Sequence, residues 1–210
     1  MFSATFDDAT MIRDEAELRA RLGTDHIYLA GDGMVTLSGT LAVGPNVSFA
    51  GTCLIGAGAT IETGSVLTNV TLGRDNRVRA YSILSDLVAG DGNLFGPFCF
   101  IRDQCQVGDR SILGAHVETA RSRFGSGVKI SHRAFVGDAD IGADTIIGAG
   151  AVFCNFDGEG RQSTRVGART AIGSGVLLVA PLVIEDDVTI GAGSVVTKDL
   201  AAGARLIQKR

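Results

Sequence analysis

Val166-Gly-Ala-Arg-Thr-Ala-Ile172-Gly-Ser-Gly-Val-Leu-Leu178-Val-Ala-Pro-Leu-Val-Ile184-Glu-Asp-Asp-Val-Thr-Ile190-Gly-Ala-Gly-Ser-Val-Val196 places one large aliphatic residue at every sixth position. A period of six fits neither an amphipathic helix nor a simple alternating strand. The same step runs through Val43, Phe49, Ile55 and Ile61, through Phe95, Ile101, Val107 and Leu113, through Phe124, Ile130 and Val136, and through Ile141, Ile147 and Phe153. Single steps of five, Thr119 to Phe124 and Val136 to Ile141, join these blocks as corner adjustments. Two further phases follow the frame. The residue after the aliphatic is glycine at 13 places, and the residue four after it is small, as at Cys53, Ala59, Ser65, Cys99, Cys105, Ser111, Ala134 and Ala151.

These three phases describe a three-sided coil. Each hexapeptide makes a short strand and a corner, and about three hexapeptides make one turn. Stacked turns pair their strands in parallel, and the aliphatics pile into a narrow core beside the small residues. The glycine phase supplies corner conformations that a Cβ would hinder. One hexapeptide cannot bury a core alone, so the turns must stack. The regular stretch is long enough for about nine or ten coils of roughly 18 residues. The fold class is therefore all-β, a parallel β-helix.

Composition agrees and removes alternatives. The chain has 210 residues with 29 Gly but only 3 Pro, which excludes collagen. A hydrophobic share of 45% against 20% charged residues excludes a disordered chain. The net charge is −4 and no long basic run occurs, so no nucleic-acid partner is expected. The longest apolar stretch, 175–184, is broken by Pro181 and is too short to span a bilayer, so no membrane partner is expected either. The first residues lack the basic start and apolar core of a signal peptide, and a cytoplasmic location follows as the expectation. The four cysteines form no C-x-x-C pair and are expected as reduced thiols. Cys53, Cys99 and Cys105 fall on the small inward phase and pack as small hydrophobes, whereas Cys154 lies off it.

The ends depart from the repeat. Residues 1–25 are read as a cap containing a helix, with Ile12, Leu18 and Leu22 at near-helical spacing and Gly23 as its stop. Residues 26–198 carry the coils, with a polar excursion over 154–165, and 199–210 form a basic tail. Three histidines, His26, His116 and His132, lack a usual ligand spacing, so no metal site is expected.

From Gly96 onward specific phrases appear in order: Gly96-Pro-Phe-Cys-Phe-Ile-Arg102, Gly125-Ser-Gly-Val-Lys-Ile-Ser-His132, Val136-Gly-Asp-Ala-Asp-Ile-Gly142, Ile147-Gly-Ala-Gly150, Cys154-Asn-Phe-Asp-Gly158, Leu178-Val-Ala-Pro181 and Ile190-Gly-Ala-Gly193. Over 96–209 the chain resembles the acetyltransferase domain of the bacterial bifunctional glucosamine-1-phosphate N-acetyltransferase/N-acetylglucosamine-1-phosphate uridyltransferases. The Cys-Asn-Phe-Asp-Gly phrase is the most specific of these motifs; single Ile-Gly-Ala-Gly phrases occur in any hexapeptide protein. The resemblance implies a left-handed coil, an acyl-CoA-dependent transferase of the hexapeptide-repeat class with acetyl-CoA as cosubstrate, an amino-sugar acceptor, and a homotrimer with each site between neighbouring coils. No nucleotide-binding loop precedes the coils, so no uridylyl transfer is expected.

The resemblance also assigns roles by position. His132 matches the general base. Asn155 matches an asparagine that orients the reacting groups. Arg102 matches an arginine on the sugar phosphate, or is an exposed corner charge. Ser174 and Ala192 match positions along the coenzyme groove. Lys209 and Arg210 lie where a basic residue meets the coenzyme phosphates, or form a solvated tail. Departures concentrate on the acceptor side. A phosphate-binding lysine is replaced by Ala120, with Arg121 and Arg123 as substitutes. Sugar-contacting tyrosine and asparagine become Phe135 and Ile146. The tyrosine after the loop asparagine becomes Phe156, and the loop lysine becomes Arg161. Each lost hydrogen bond to a buried polar acceptor costs roughly 1–3 kcal/mol, so an altered acceptor is expected. Transfer to a sugar hydroxyl, N-acylation of a nucleotide-linked amino sugar, and a non-catalytic scaffold stay open as alternatives.

Overall fold

The computed structural model describes residues 1–207. They form a parallel β-helix of about ten turns with one short helix. The six-residue phase has its expected physical effect. The aliphatics of the repeat, from Val43 to Val196, are all buried, and so are Cys53, Cys99, Cys105, Ser111, Val128 and Thr145 of the small phase. The core is thus one continuous column along the helix axis.

Three faces follow in chain order. Face A carries Ile112–Ala115, Lys129–His132, Ile146–Ile147 and Ala171–Ile172. Face B carries Glu118–Ala120, Phe135–Gly137, Val152–Cys154 and Leu177–Val179. Face C carries Arg123–Phe124, Ala139–Ile141, Thr164–Val166 and Leu182–Ile184. Parallel register holds each column: Ile130 pairs with Ile147, Ile147 with Ile172 and Ile172 with Ile190.

The glycines after the aliphatics serve a different purpose from the one the repeat suggests. Most have ordinary negative φ; positive φ falls largely on other corner residues such as Asp103, Arg121 and Asp138. A Cβ on Gly148 or Gly173 would instead run into the backbone of the next coil, at Ser174 and Ala192. Close approach between turns, rather than backbone conformation, selects glycine there.

The top of the column is covered. Helix α1 spans Glu15–Leu22, capped by Asp14, whose carboxylate accepts from Ala16 N at 2.6 Å and Glu17 N at 3.3 Å. Gly23 ends it with φ 68°. Ile12, Leu18 and Leu22 bury onto the first coil. Residues ahead of the helix, to which the repeat assigns no element, form β1 (Phe2–Ile12). It pairs antiparallel with β2 (Ile27–Val43), from Phe2 opposite Val43 to Ile12 opposite Val35. The other edge of β2 starts the parallel stack on β3 (Val47–Ile55). At the far end Arg205–Leu206 pairs with Thr189–Ile190. Among the described residues no helix is long and apolar enough to cross a membrane.

Candidate active site

The strands of face B end at a corner where four successive coils place Asp103, Arg121, Asp138 and Asn155 in one column. The register is set by Arg102 opposite Ala120, Ala120 opposite Gly137, and Val152-Phe-Cys154 opposite Leu177–Val179. Asp103, Arg121 and Asp138 all have φ between 51° and 58°, so their side chains leave the corner and line up along the axis. They bond as a ladder. Arg121 Nη1 lies 2.7 Å from Asp103 Oδ2. Its Nε and Nη2 hold both oxygens of Asp138 at 2.7 and 3.0 Å. Asn155 Nδ2 donates to Asp138 Oδ2 at 2.5 Å. Arg102 joins from face B, with Nη1 2.5 Å from Asp103 Oδ2 and Nη2 2.8 Å from Glu118 Oε1.

Charge-assisted bonds set the protonation here. The Arg121 hydrogen bond, together with Asn155, holds the Asp138 carboxyl below the usual carboxylate range. The Glu118 hydrogen bond keeps Arg102 firmly protonated, and Asp138 does the same for Arg121.

Below the ladder the chain leaves the coil and returns. Phe156 bridges Arg161 in antiparallel fashion, and Gln162 N bonds to Asn155 O at 2.8 Å. Asp157 organises the excursion: its Oδ1 accepts from Glu159 N and Gly160 N at 2.9 and 2.8 Å, and Oδ2 accepts from Gln162 Nε2 at 2.9 Å. The Gly160 and Glu159 amides pull its pKa down to about 2. Between this loop and face B lies a cleft of about 530 Å³, where Arg102, Arg121, Phe135, Asn155, Phe156 and Arg161 come together with Glu159.

The remaining positions lie elsewhere. His132 is exposed at the end of its face A strand, paired with Ala115. The register of Ile130, Ile147, Ile172 and Ile190 puts His132, Ala149, Ser174 and Ala192 in one column at the corner between faces A and B. His132 and Ser174 thus share an edge, while Asn155 and the cleft occupy the opposite edge of face B. Above His132 in the neighbouring corner column, His116 stacks on Phe98 at 5.2 Å and Phe98 on Tyr81 at 5.7 Å. Ile146 is half exposed on face A, and Ala120 is buried beside Arg102. Arg123 stands on face C, outside the cleft beside the loop, and lines with Arg121, Asp103 and Asp138 a second cleft of about 540 Å³. Lys209 and Arg210 lie outside the described residues. Among the described residues no group of three His, Cys, Asp or Glu side chains could hold a metal.

The repeat points to none of Asp103, Glu118 or Asp138, which complete the site. For Asp103 and Asp138 a signal is present: 86, 103, 121, 138 and 155 are polar positions at a spacing of 17 or 18 residues; Glu118 has none.

Fold and register make this a hexapeptide-repeat parallel β-helix protein. The chain is homologous to bacterial proteins called bifunctional protein GlmU. It is 39% identical over 171 residues to that of Acinetobacter baumannii strain AYE, matching 79% of this chain and 38% of that protein. With that of Baumannia cicadellinicola it shares 34% over 203 residues, 94% of this chain and 43% of that protein. The chain therefore spans less than half the length of these relatives. Among solved structures, UDP-N-acetylglucosamine acyltransferase from Campylobacter jejuni aligns with a TM-score of 0.47 at 14% identity, over 85% of this chain and 68% of that one. No family model matches.

Proposed function

We propose that the chain is an acyl-CoA-dependent N-acyltransferase, with acetyl-CoA as donor and an amino sugar or amino-sugar phosphate as acceptor. The observation that carries this reading is the convergence of Arg102, Arg121, Phe135, Asn155, Phe156 and Arg161 on one cleft in a chain homologous to GlmU. In the proposed reaction the acceptor nitrogen attacks the thioester carbonyl carbon. The imidazole of His132 takes the proton lost by nitrogen. The carbonyl becomes a tetrahedral oxyanion, for which backbone N–H groups beside Asn155 are the donors. The carbon–sulfur bond then breaks, the amide forms, and the imidazolium returns its proton to the departing thiolate. Ser174 and Ala192, in the His132 column, border the coenzyme arm, and Lys209 and Arg210 meet its phosphates.

The separation of His132 from the cleft supports a homotrimer in which the 154–165 loop of one chain reaches the His132 edge of the next. Face B carries an apolar column suited to such packing: Ile83, Phe100, Phe135, Val152, Leu177 and Val195 follow one another in register, interrupted by Glu118. Four of these, Ile83, Phe100, Leu177 and Val195, are exposed in the single chain. The test is thiol release from acetyl-CoA with a panel of amino sugars and their phosphates, with product masses. Amine-dependent release of coenzyme A with an N-acetylated product is the expected result. Release with hydroxyl acceptors alone would point to O-acylation, and no release with any acceptor to a scaffold.

A further inference from the structure

Three guanidiniums face the cleft, which by count alone would suit a phosphate. Two of the three are already paired. Arg102 holds Glu118 and Asp103, Arg121 holds Asp103 and Asp138, and Glu159 lines the same cleft as Arg161. Three guanidiniums are thereby set against four carboxylates. Arg161 alone makes no ion pair among the described residues. Ala120, beside Arg102 in the rung, is buried and adds no charge.

The arrangement is held in place. Both Asp138 oxygens are bonded, one of them also to Asn155, and its side chain is only 17% exposed. The Arg121 hydrogen bond keeps Asp138 ionised at neutral pH. A phosphate dianion entering the cleft would find Nε, Nη1 and Nη2 of both Arg102 and Arg121 already bonded to carboxylates, whose negative charge lies beside them. Like charges at such range disfavour one another. Hydroxyl and ammonium groups meet the opposite situation, since carboxylate oxygens accept several hydrogen bonds each.

We infer that the acceptor cleft selects an amino sugar without a phosphate, its hydroxyls and amine met by Glu159 and by guanidiniums whose charge Glu118, Asp103 and Asp138 already offset. This rests on the reading of the cleft as the acceptor site. Binding of D-glucosamine and of glucosamine-1-phosphate to the full chain, measured by calorimetry at fixed ionic strength, tests it. The unphosphorylated sugar is expected to bind at least about tenfold more tightly. Asp103→Asn with Glu118→Gln, which frees Arg102, should raise the affinity for the phosphate about tenfold and erase the preference. Equal or tighter binding of glucosamine-1-phosphate to the wild-type chain would overturn the inference, as would failure of both sugars to bind. If the double variant does not fold, the wild-type comparison decides by itself. Acetyl transfer measured on the same samples separates the two levels. Binding of glucosamine without transfer would count against the acyltransferase and leave the charge selection standing.

Discussion

The Asp138 carboxylate holds the Asn155 amide by its nitrogen, Nδ2 to Oδ2 at 2.5 Å, from one coil to the next. A carboxylate accepts only, so the amide oxygen is the atom left to face the cleft. Asp138→Asn can present its own NH₂ group to Asn155, which lets the amide turn over, and it also gives up the charge on Arg121. On the proposed mechanism, kcat should fall about tenfold or more, the size of a lost charge-assisted hydrogen bond. Steady-state kinetics beside a melting curve checks this; unchanged kcat with unchanged melting would remove the positioning role.

The buried thiols should be inert in the folded chain. Burial pushes Cys99 up to about 11 and raises Cys53 and Cys105 as well. Cys154 is partly exposed. Iodoacetamide on the native protein at pH 8 is expected to give a single adduct, at Cys154, and four adducts after denaturation. Native labelling of Cys99 would contradict the packed column.

Gly173→Ala should destabilise the helix by roughly 1–3 kcal/mol, since the new methyl meets the Ala192 backbone and neither coil can move without breaking its ladder. Gly160→Ala, which meets nothing within 4 Å, should stay within about 0.5 kcal/mol. Thermal melting of the pair reads the difference.

The loop carries its own acid response. The Gly160 and Glu159 amides lower Asp157 to about 2, below the roughly 3.9 of an unfolded aspartate. A lowered folded pKa means that the stabilisation is fully present above the unfolded value and is lost as pH falls through about 2. Carboxyl NMR should show Asp157 titrating near 2; titration near the ordinary value would mean that the loop is open in solution.

What could be read from the chain was what faces inward. Cys99, Ser111 and Val128 are buried where the six-residue phase puts them, because a triangular interior admits one size of side chain at each position. β1 was not legible, since its partner β2 lies some thirty residues away and no hexapeptide phase marks either the pairing or its antiparallel sense. The purpose of the glycines was also hidden: whether a Cβ at Gly148 would clash depends on the next coil, about 25 residues on. The carboxylates of the ladder lie on the outside of the coil, where the repeat constrains nothing. Only the stacking of 103, 121, 138 and 155 shows that they belong to one ladder.

The most direct test of the account is subunit complementation. His132 and Asn155 sit at opposite edges of face B, so a site formed between chains takes one residue from each. His132→Ala and Asn155→Ala, each inactive alone, are co-expressed with different tags, and mixed assemblies carrying both tags are purified. The account predicts that the mixed assemblies recover a substantial fraction of the wild-type acetyl-transfer rate. Mixed assemblies as inactive as either parent would contradict a site shared between neighbouring chains.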